Sequence, residues 1–262
     1  MANEHPKSDP ATYDVIGRGY ASRRVPDPRI AAHIWSALGD AKRICNVGAG
    51  AGSYEPRDRE VIAVEPSREM IAQRHDRRQV VRARAESLPF ADGTFDAAMA
   101  LLTVHHWEDL AAGIAELRRI APLRVLFTFD PLRQNDFWLA RDYLPEIQEL
   151  ELARAPRIET LVDLLGGAEV RVVPIPWDCT DGFQAASWRR PEAYLNPQTR
   201  ASISTLAMLP EALVECAIER LAADLKSGAW ARRNQALLDR DEMDYSYRLL
   251  VSREGGASAT PR

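Results

Sequence analysis

Arg43-Ile-Cys-Asn-Val-Gly-Ala-Gly-Ala-Gly52 is the stretch on which the reading of this fold turns. Its first five residues form a short apolar run, which reads as a buried strand. Glycines at 48, 50 and 52 then open backbone conformations that side chains disfavour, and let the main chain approach a ligand closely. A strand entering such a turn is the usual opening of a nucleotide-binding α/β unit. The spacing narrows this. A dinucleotide loop of the form G-x-G-x-x-G would place glycine at position 53; here Ser53 stands there and the third glycine comes one residue early.

Downstream, Val61-Ile-Ala-Val64 reads as a second strand ending at Glu65-Pro66, after which Ser67 caps a helix carrying Met70 and Ile71. Gln79-Val-Val-Arg82 is a third strand. Phe95 to Leu102 is a fourth, entered through the turn Ala91-Asp-Gly-Thr94. Leu110, Ile114, Leu117 and Ile120 recur at helical spacing until Pro122, and Val125 to Phe129 is a fifth strand. Upstream, Asp27 caps a helix begun by Pro28, with Ile30, Ile34 and Leu38 on one face and Gly39 at its exit. This alternation predicts an α/β fold, a Rossmann-like doubly wound sheet of about seven strands, mostly parallel. Glu169–Ile175 and Tyr245–Val251 supply two more strands, the last one antiparallel. Between them lies a helical stretch, about 178–243, with its clearest helix from Glu211 to Lys226. It is expected to form a cap insertion over the sheet's carboxyl edge. The expected organisation is one domain over 11–253, with residues 1–10 and 254–262 as disordered ends.

Composition limits the function. The 262 residues are 46% hydrophobic, enough for a substantial core, and the formal net charge is −4. A nucleic-acid binder would carry a basic face, so no nucleic-acid partner is expected. Cys45, Cys179 and Cys216 stand far apart with no metal-ligand spacing, which suits a reducing cytoplasm and implies no metal. With no signal-like leader and no long apolar run, a soluble cytoplasmic chain without membrane attachment is expected, as a monomer or a homodimer.

Four motifs now fall in order: Asn46-Val-Gly-Ala-Gly-Ala-Gly52; Val64-Glu-Pro-Ser67; Ala85-Glu-Ser-Leu-Pro-Phe90 with Asp92-Gly-Thr-Phe-Asp96; and Val104-His-His-Trp107. Over about residues 13–130 the chain resembles class I S-adenosylmethionine-dependent methyltransferases, in particular the small-molecule branch of ubiquinone and menaquinone biosynthesis. The resemblance implies S-adenosylmethionine as cofactor and S-adenosylhomocysteine as product. It also implies that Asn46, Gly48, Ala49, Gly50 and Gly52 pass the methionine portion, and that Glu65 binds the ribose. Pro66, Ser67 and Met70 would border the adenine, Ala85, Glu86 and Ser87 its edge, and Leu102 and Thr103 would sit beside the sulfonium. Tyr13, Tyr20 and Arg23 precede the first helix, where the family closes a flap, and Arg23 or Arg24 would pair the methionine carboxylate. Two departures stand out. Only seventeen steps separate Gly48 from Glu65, and Pro56 falls where a helix should run, so that helix is expected to shrink to a single turn. Arg84 occupies the place where many relatives carry an Asp toward the adenine amino group; Glu86, or backbone alone, would replace it.

Methyl transfer is a displacement at a carbon already activated by the sulfonium, so the protein must align nucleophile, methyl and sulfur, and a base is needed only where the nucleophile has a proton to lose. His106 and His105 follow the fourth strand and are the base candidates, at most one of them catalytic, the other a helix-start residue. Asp130, Asp142 and Tyr143 come behind them. The expected activity is transfer of methyl to oxygen, nitrogen or carbon of a small organic acceptor. The alternatives are a cofactor-binding regulator or rearrangement catalyst without methyl transfer, and a nicotinamide-dependent oxidoreductase, which Ser53 and the Leu-Pro-Phe block disfavour.

Overall fold

The computed structural model describes residues 24–74 and 79–255. Nine strands occur among them: β1 (Arg43–Val47), β2 (Glu60–Val64), β3 (Val80–Val81), β4 (Ala97–Leu101), β5 (Leu123–Phe129), β6 (Glu169–Val172), β7 (Ile175–Pro176), β8 (Glu242–Met243) and β9 (Tyr247–Arg253). Seven of them form one sheet in the order β3-β2-β1-β4-β5-β9-β6. All pairings among β1 to β5 are parallel, and β9 pairs antiparallel with both β5 and β6. The expected α/β class, doubly wound and mostly parallel with an antiparallel last strand, is what the chain adopts.

Alternation along the central strands divides two cores. Ala97 and Met99 of β4, Val125 and Phe127 of β5, and Leu249 and Val251 of β9 face one side, against Ile30, Ile34 and Leu38 of the Pro28–Leu38 helix. Ala98, Ala100, Leu126 and Leu250 face the other, against Ile114, Leu117 and Ile120 of the Leu110–Ile120 helix and Leu161 and Leu165 of the Ile158–Leu165 helix. Burial on both faces is what a parallel sheet requires, and the β4 alanines let helices approach closely. Asp27 caps the first helix through the Arg29 amide at 2.9 Å, and Ser67 caps Arg68–Ala72 through the Met70 amide at 3.2 Å.

Three expectations change. No helix follows the glycine loop: residues 48–59 are turns and bends leading directly into β2, so even the single turn before Pro56 is absent. The run Glu169–Ile175 is also not one strand. It breaks at Pro174, which has no amide to donate to the ladder, and β7 pairs instead with β8. Finally, β9 starts at Tyr247 and not Tyr245, because Ser246 turns the chain through φ +71. No helix among the described residues is long and apolar enough to cross a membrane.

Candidate functional site

Strand order reverses at β1, which has β2 on one side and β4 on the other. In open α/β sheets a crevice forms at such a switch point, outside the strands' carboxyl ends. Here those ends are Gly48 after β1 and Leu102-Thr103 after β4, and a cleft of about 1080 Å³, open to solvent, lies between them.

The cleft's floor explains its glycines. Gly48 has φ +69, and a Cβ there would stand 2.1 Å from Thr103 Oγ1, so both conformation and space demand glycine. Gly50 has φ +52 and lies under Met70 Cε, and its N–H donates to Glu65 Oε2 at 2.8 Å. The Ser67 N–H donates to Glu65 Oε1 at 2.9 Å. Glu65 thereby clamps the loop to the start of the next helix. Leu102 is held at φ +53, a conformation costing an ordinary residue about 1–2 kcal/mol, while its N–H donates to Phe127 O at 2.7 Å. Strain of this kind at a strand end marks a site.

Asn46, Gly48, Ala49, Gly50, Glu65 and Pro66 line the cleft, as do Ser67, Met70, Ala85, Glu86, Leu102 and Thr103. Gly52 and Ser87 are not part of the lining; Gly52 lies beneath the Arg74–Glu55 pair and Ser87 bridges to Arg84. Tyr13, Tyr20 and Arg23 lie outside the described residues. The Glu86 carboxylate accepts from the Glu108 and Asp109 amides at 2.9 and 3.3 Å, and Arg84 pairs with Glu108 at the rim. Trp107 forms another wall, seated over Gly113, where a Cβ would be 2.4 Å from its ring.

Two networks that sequence alone did not reveal replace the missing helix. Glu55 accepts from Arg74 Nη2 at 2.9 and 2.7 Å and from Asn46 Nδ2 at 2.9 Å, while Arg74 Nη1 donates to Gly50 O at 3.2 Å. Tyr54, buried and at φ +64, donates from its hydroxyl to Asp181 Oδ2 at 2.6 Å, and Arg24 pairs with Asp181 Oδ1 at 2.5 Å. Burial and the Asp181 charge push the Tyr54 hydroxyl well above its ordinary range. Partners 127 and 157 residues apart leave no local signal. Pro56 was the one hint, and it pointed only to the break.

The two histidines divide. His106 lines the cleft, whereas His105 lines a second cavity, about 490 Å³ and open to solvent; Arg24 and Leu102 line both. Their rings are 3.9 Å apart between centroids. Burial, with His106 and Arg154 nearby, holds the His105 imidazole well below its ordinary range; burial and Arg154 push His106 down to about 3. Both are neutral at pH 7. Asp130, Asp142 and Tyr143 line neither cavity: Asp130 caps the following turn, Asp142 pairs with Arg141, and Tyr143 donates to Asp224.

Comparison with known proteins agrees with this geometry. The model of the methyltransferase domain family matches residues 45–122. A crystal structure from Anabaena variabilis, described as a candidate methyltransferase from an antibiotic biosynthesis pathway, is 35% identical. The match covers 88% of this chain and 98% of that one, with a TM-score of 0.82. The uncharacterised methyltransferase YcgJ of Bacillus subtilis is 32% identical over 117 residues, 40% of this chain and 42% of its own. YafE of Escherichia coli is 38% identical over 68 residues, 23% of this chain and 33% of its own, so the matches span less than half of either curated relative. Strand order, switch-point cleft and the near full-length likeness to the Anabaena protein converge: the chain belongs to the class I S-adenosylmethionine-dependent methyltransferases.

Proposed function

We propose that the methyl acceptor is a small organic molecule, bound in the second cavity and methylated at the Arg24–Leu102 boundary that it shares with the cleft. The observation that carries this reading is the shared boundary: Leu102 and Arg24 line both spaces, so the two lie against each other. The Anabaena relative's link to an antibiotic pathway supports an acceptor of this size.

The cleft residues fit S-adenosylmethionine. Asn46 Oδ1 is buried with no hydrogen-bond partner, beside a glycine floor that any Cβ would fill, and suits the amino-acid end. Glu65 presents a carboxylate, which accepts several hydrogen bonds at once and so suits ribose hydroxyls. Pro66, Met70 and Trp107 offer apolar surface to the adenine. Glu86 acts through the 108–109 backbone, by shaping the adenine edge. When bound, the cofactor supplies a methyl group made electrophilic by a positive sulfur. The protein's share is then to bind, to exclude water and to orient the acceptor. Residues 11–253 form the methyltransferase domain in this reading, with helices of the 178–243 stretch covering the acceptor.

Incubation with methyl-labelled S-adenosylmethionine tests the acceptor class. Label should enter an organic-soluble small-molecule fraction, and not added RNA or protein. Label confined to the macromolecules would overturn it.

A further inference from the structure

Asn46 stands near the carboxyl end of β1, 1% exposed, and lines the cleft. The two ends of its amide are treated differently. Nδ2 donates to Glu55 Oε1 at 2.9 Å, whereas Oδ1 is buried and has no hydrogen-bond partner. A buried acceptor left unpaired is costly, so its position points to a donor that arrives with a ligand.

Glu55 decides which end of the amide is left over. It does not line the cleft, and it accepts from Arg74 Nη2 at 2.9 and 2.7 Å. A carboxylate held by a guanidinium can only accept, so the Asn46 atom facing it must be the nitrogen. The oxygen is thereby kept for the ligand. Aspartate at position 46 could not replace asparagine here, because it would set two carboxylates against each other at hydrogen-bonding distance. The amide also lies between Glu55 and the ligand space, so the Glu55 charge polarises Oδ1 into a better acceptor.

Among the donors of S-adenosylmethionine, the ribose hydroxyls fall to Glu65 and the adenine to the Pro66–Met70 side, which leaves the ammonium for Asn46. We infer that Glu55 is a positioning residue for the cofactor: through the Asn46 amide it presents an oxygen to the ammonium of the methionine portion and makes the cleft selective for it. This rests on the reading of the cleft as the cofactor site and deepens it.

The test compares two ligands by titration calorimetry: S-adenosylhomocysteine and its desamino analogue, in which hydrogen replaces the ammonium. The wild type should bind the first at least tenfold tighter. Asn46→Leu should cut that preference to twofold or less. Arg74→Met removes the ion pair but leaves Glu55 facing Asn46, so it should weaken both ligands by one factor and keep the preference. Glu55→Leu/Arg74→Met removes the orienting carboxylate as well, and exchanges both partners for apolar side chains, a swap that folded proteins tolerate. It should lower the preference at least fivefold. A loosened loop alone would weaken both ligands equally in the two Arg74 variants, so the ratio reports the orientation and not the bracing. Equal binding of the two ligands by the wild type would overturn the inference and leave the cofactor reading intact. So would an undiminished preference in Asn46→Leu, or one as strong in the double variant as in Arg74→Met. Failure of the wild type to bind S-adenosylhomocysteine would overturn both.

Discussion

At the residue scale the site rests on a few side chains whose neighbours leave them little choice. Gly48 is the strictest, since a Cβ would overlap Thr103 at 2.1 Å and the backbone sits at φ +69. Gly48→Val should abolish S-adenosylhomocysteine binding and cost about 3 kcal/mol of stability, read by urea denaturation beside a titration. Glu55 is less obvious but nearly as constrained. Glu55→Ala leaves Arg74, whose side chain is 5% exposed, without its carboxylate; stability should drop by about 3 kcal/mol and cofactor affinity should fall several-fold as the loop loosens. A stability loss with unchanged affinity would show that the Glu55 pair braces the fold without shaping the cleft. The glycines and Glu65 were legible in the sequence because each is a local requirement of a turn or strand end. Glu55, Tyr54 and Asp181 were not, because their roles exist only once distant segments meet.

At the element scale, strands and helices with their own caps and patterns could be read directly. Asp27 before Pro28, Ser67 before Arg68, and the apolar positions from Leu110 to Ile120 each describe an element that forms as written. What escaped was the element that is missing. A parallel β1–β2 connection normally calls for a helix, and Pro56 and the short spacing reduced that expectation to one turn. The loop instead replaces helical hydrogen bonds with buried side-chain ones, a substitution no periodicity signals. The β6–β7 break at Pro174 could have been read from the absent amide alone. Helix Leu110–Ile120 touches the site through Gly113, whose missing side chain seats Trp107. Gly113→Val should push Trp107 into the cleft and weaken S-adenosylhomocysteine binding at least tenfold. The helix itself should persist, as far-UV circular dichroism would show, since valine is no worse a helix former than glycine.

Over the whole molecule the chain joins a conventional sheet to an unconventional closure. Asp181 reaches from the stretch after β7 to Tyr54 beside the glycine loop and to Arg24 ahead of the first helix, tying three distant segments together at the cleft. His105, buried, and His106, half-buried on the cleft wall, give the molecule an acid limit. Both are depressed in the folded state, His106 from 6.5 to about 3, so below about pH 6.5 the unfolded chain takes up protons that the folded chain refuses. Their contribution is complete above pH 6.5 and is lost progressively as pH falls. Stability should drop by roughly 2 kcal/mol per pH unit between about pH 6 and 5, about 1 kcal/mol from each histidine, and the double variant His105→Gln/His106→Gln should flatten that slope. The cofactor's place in the switch-point cleft is tested most directly by titrating S-adenosylhomocysteine into the wild-type chain and into Gly50→Asp. That substitution tolerates φ +52 and sets a second carboxylate beside Glu65. The wild type should bind one equivalent, and the variant should keep its fold and bind none. No binding by the wild type, or equal binding by a folded Gly50→Asp, would contradict it.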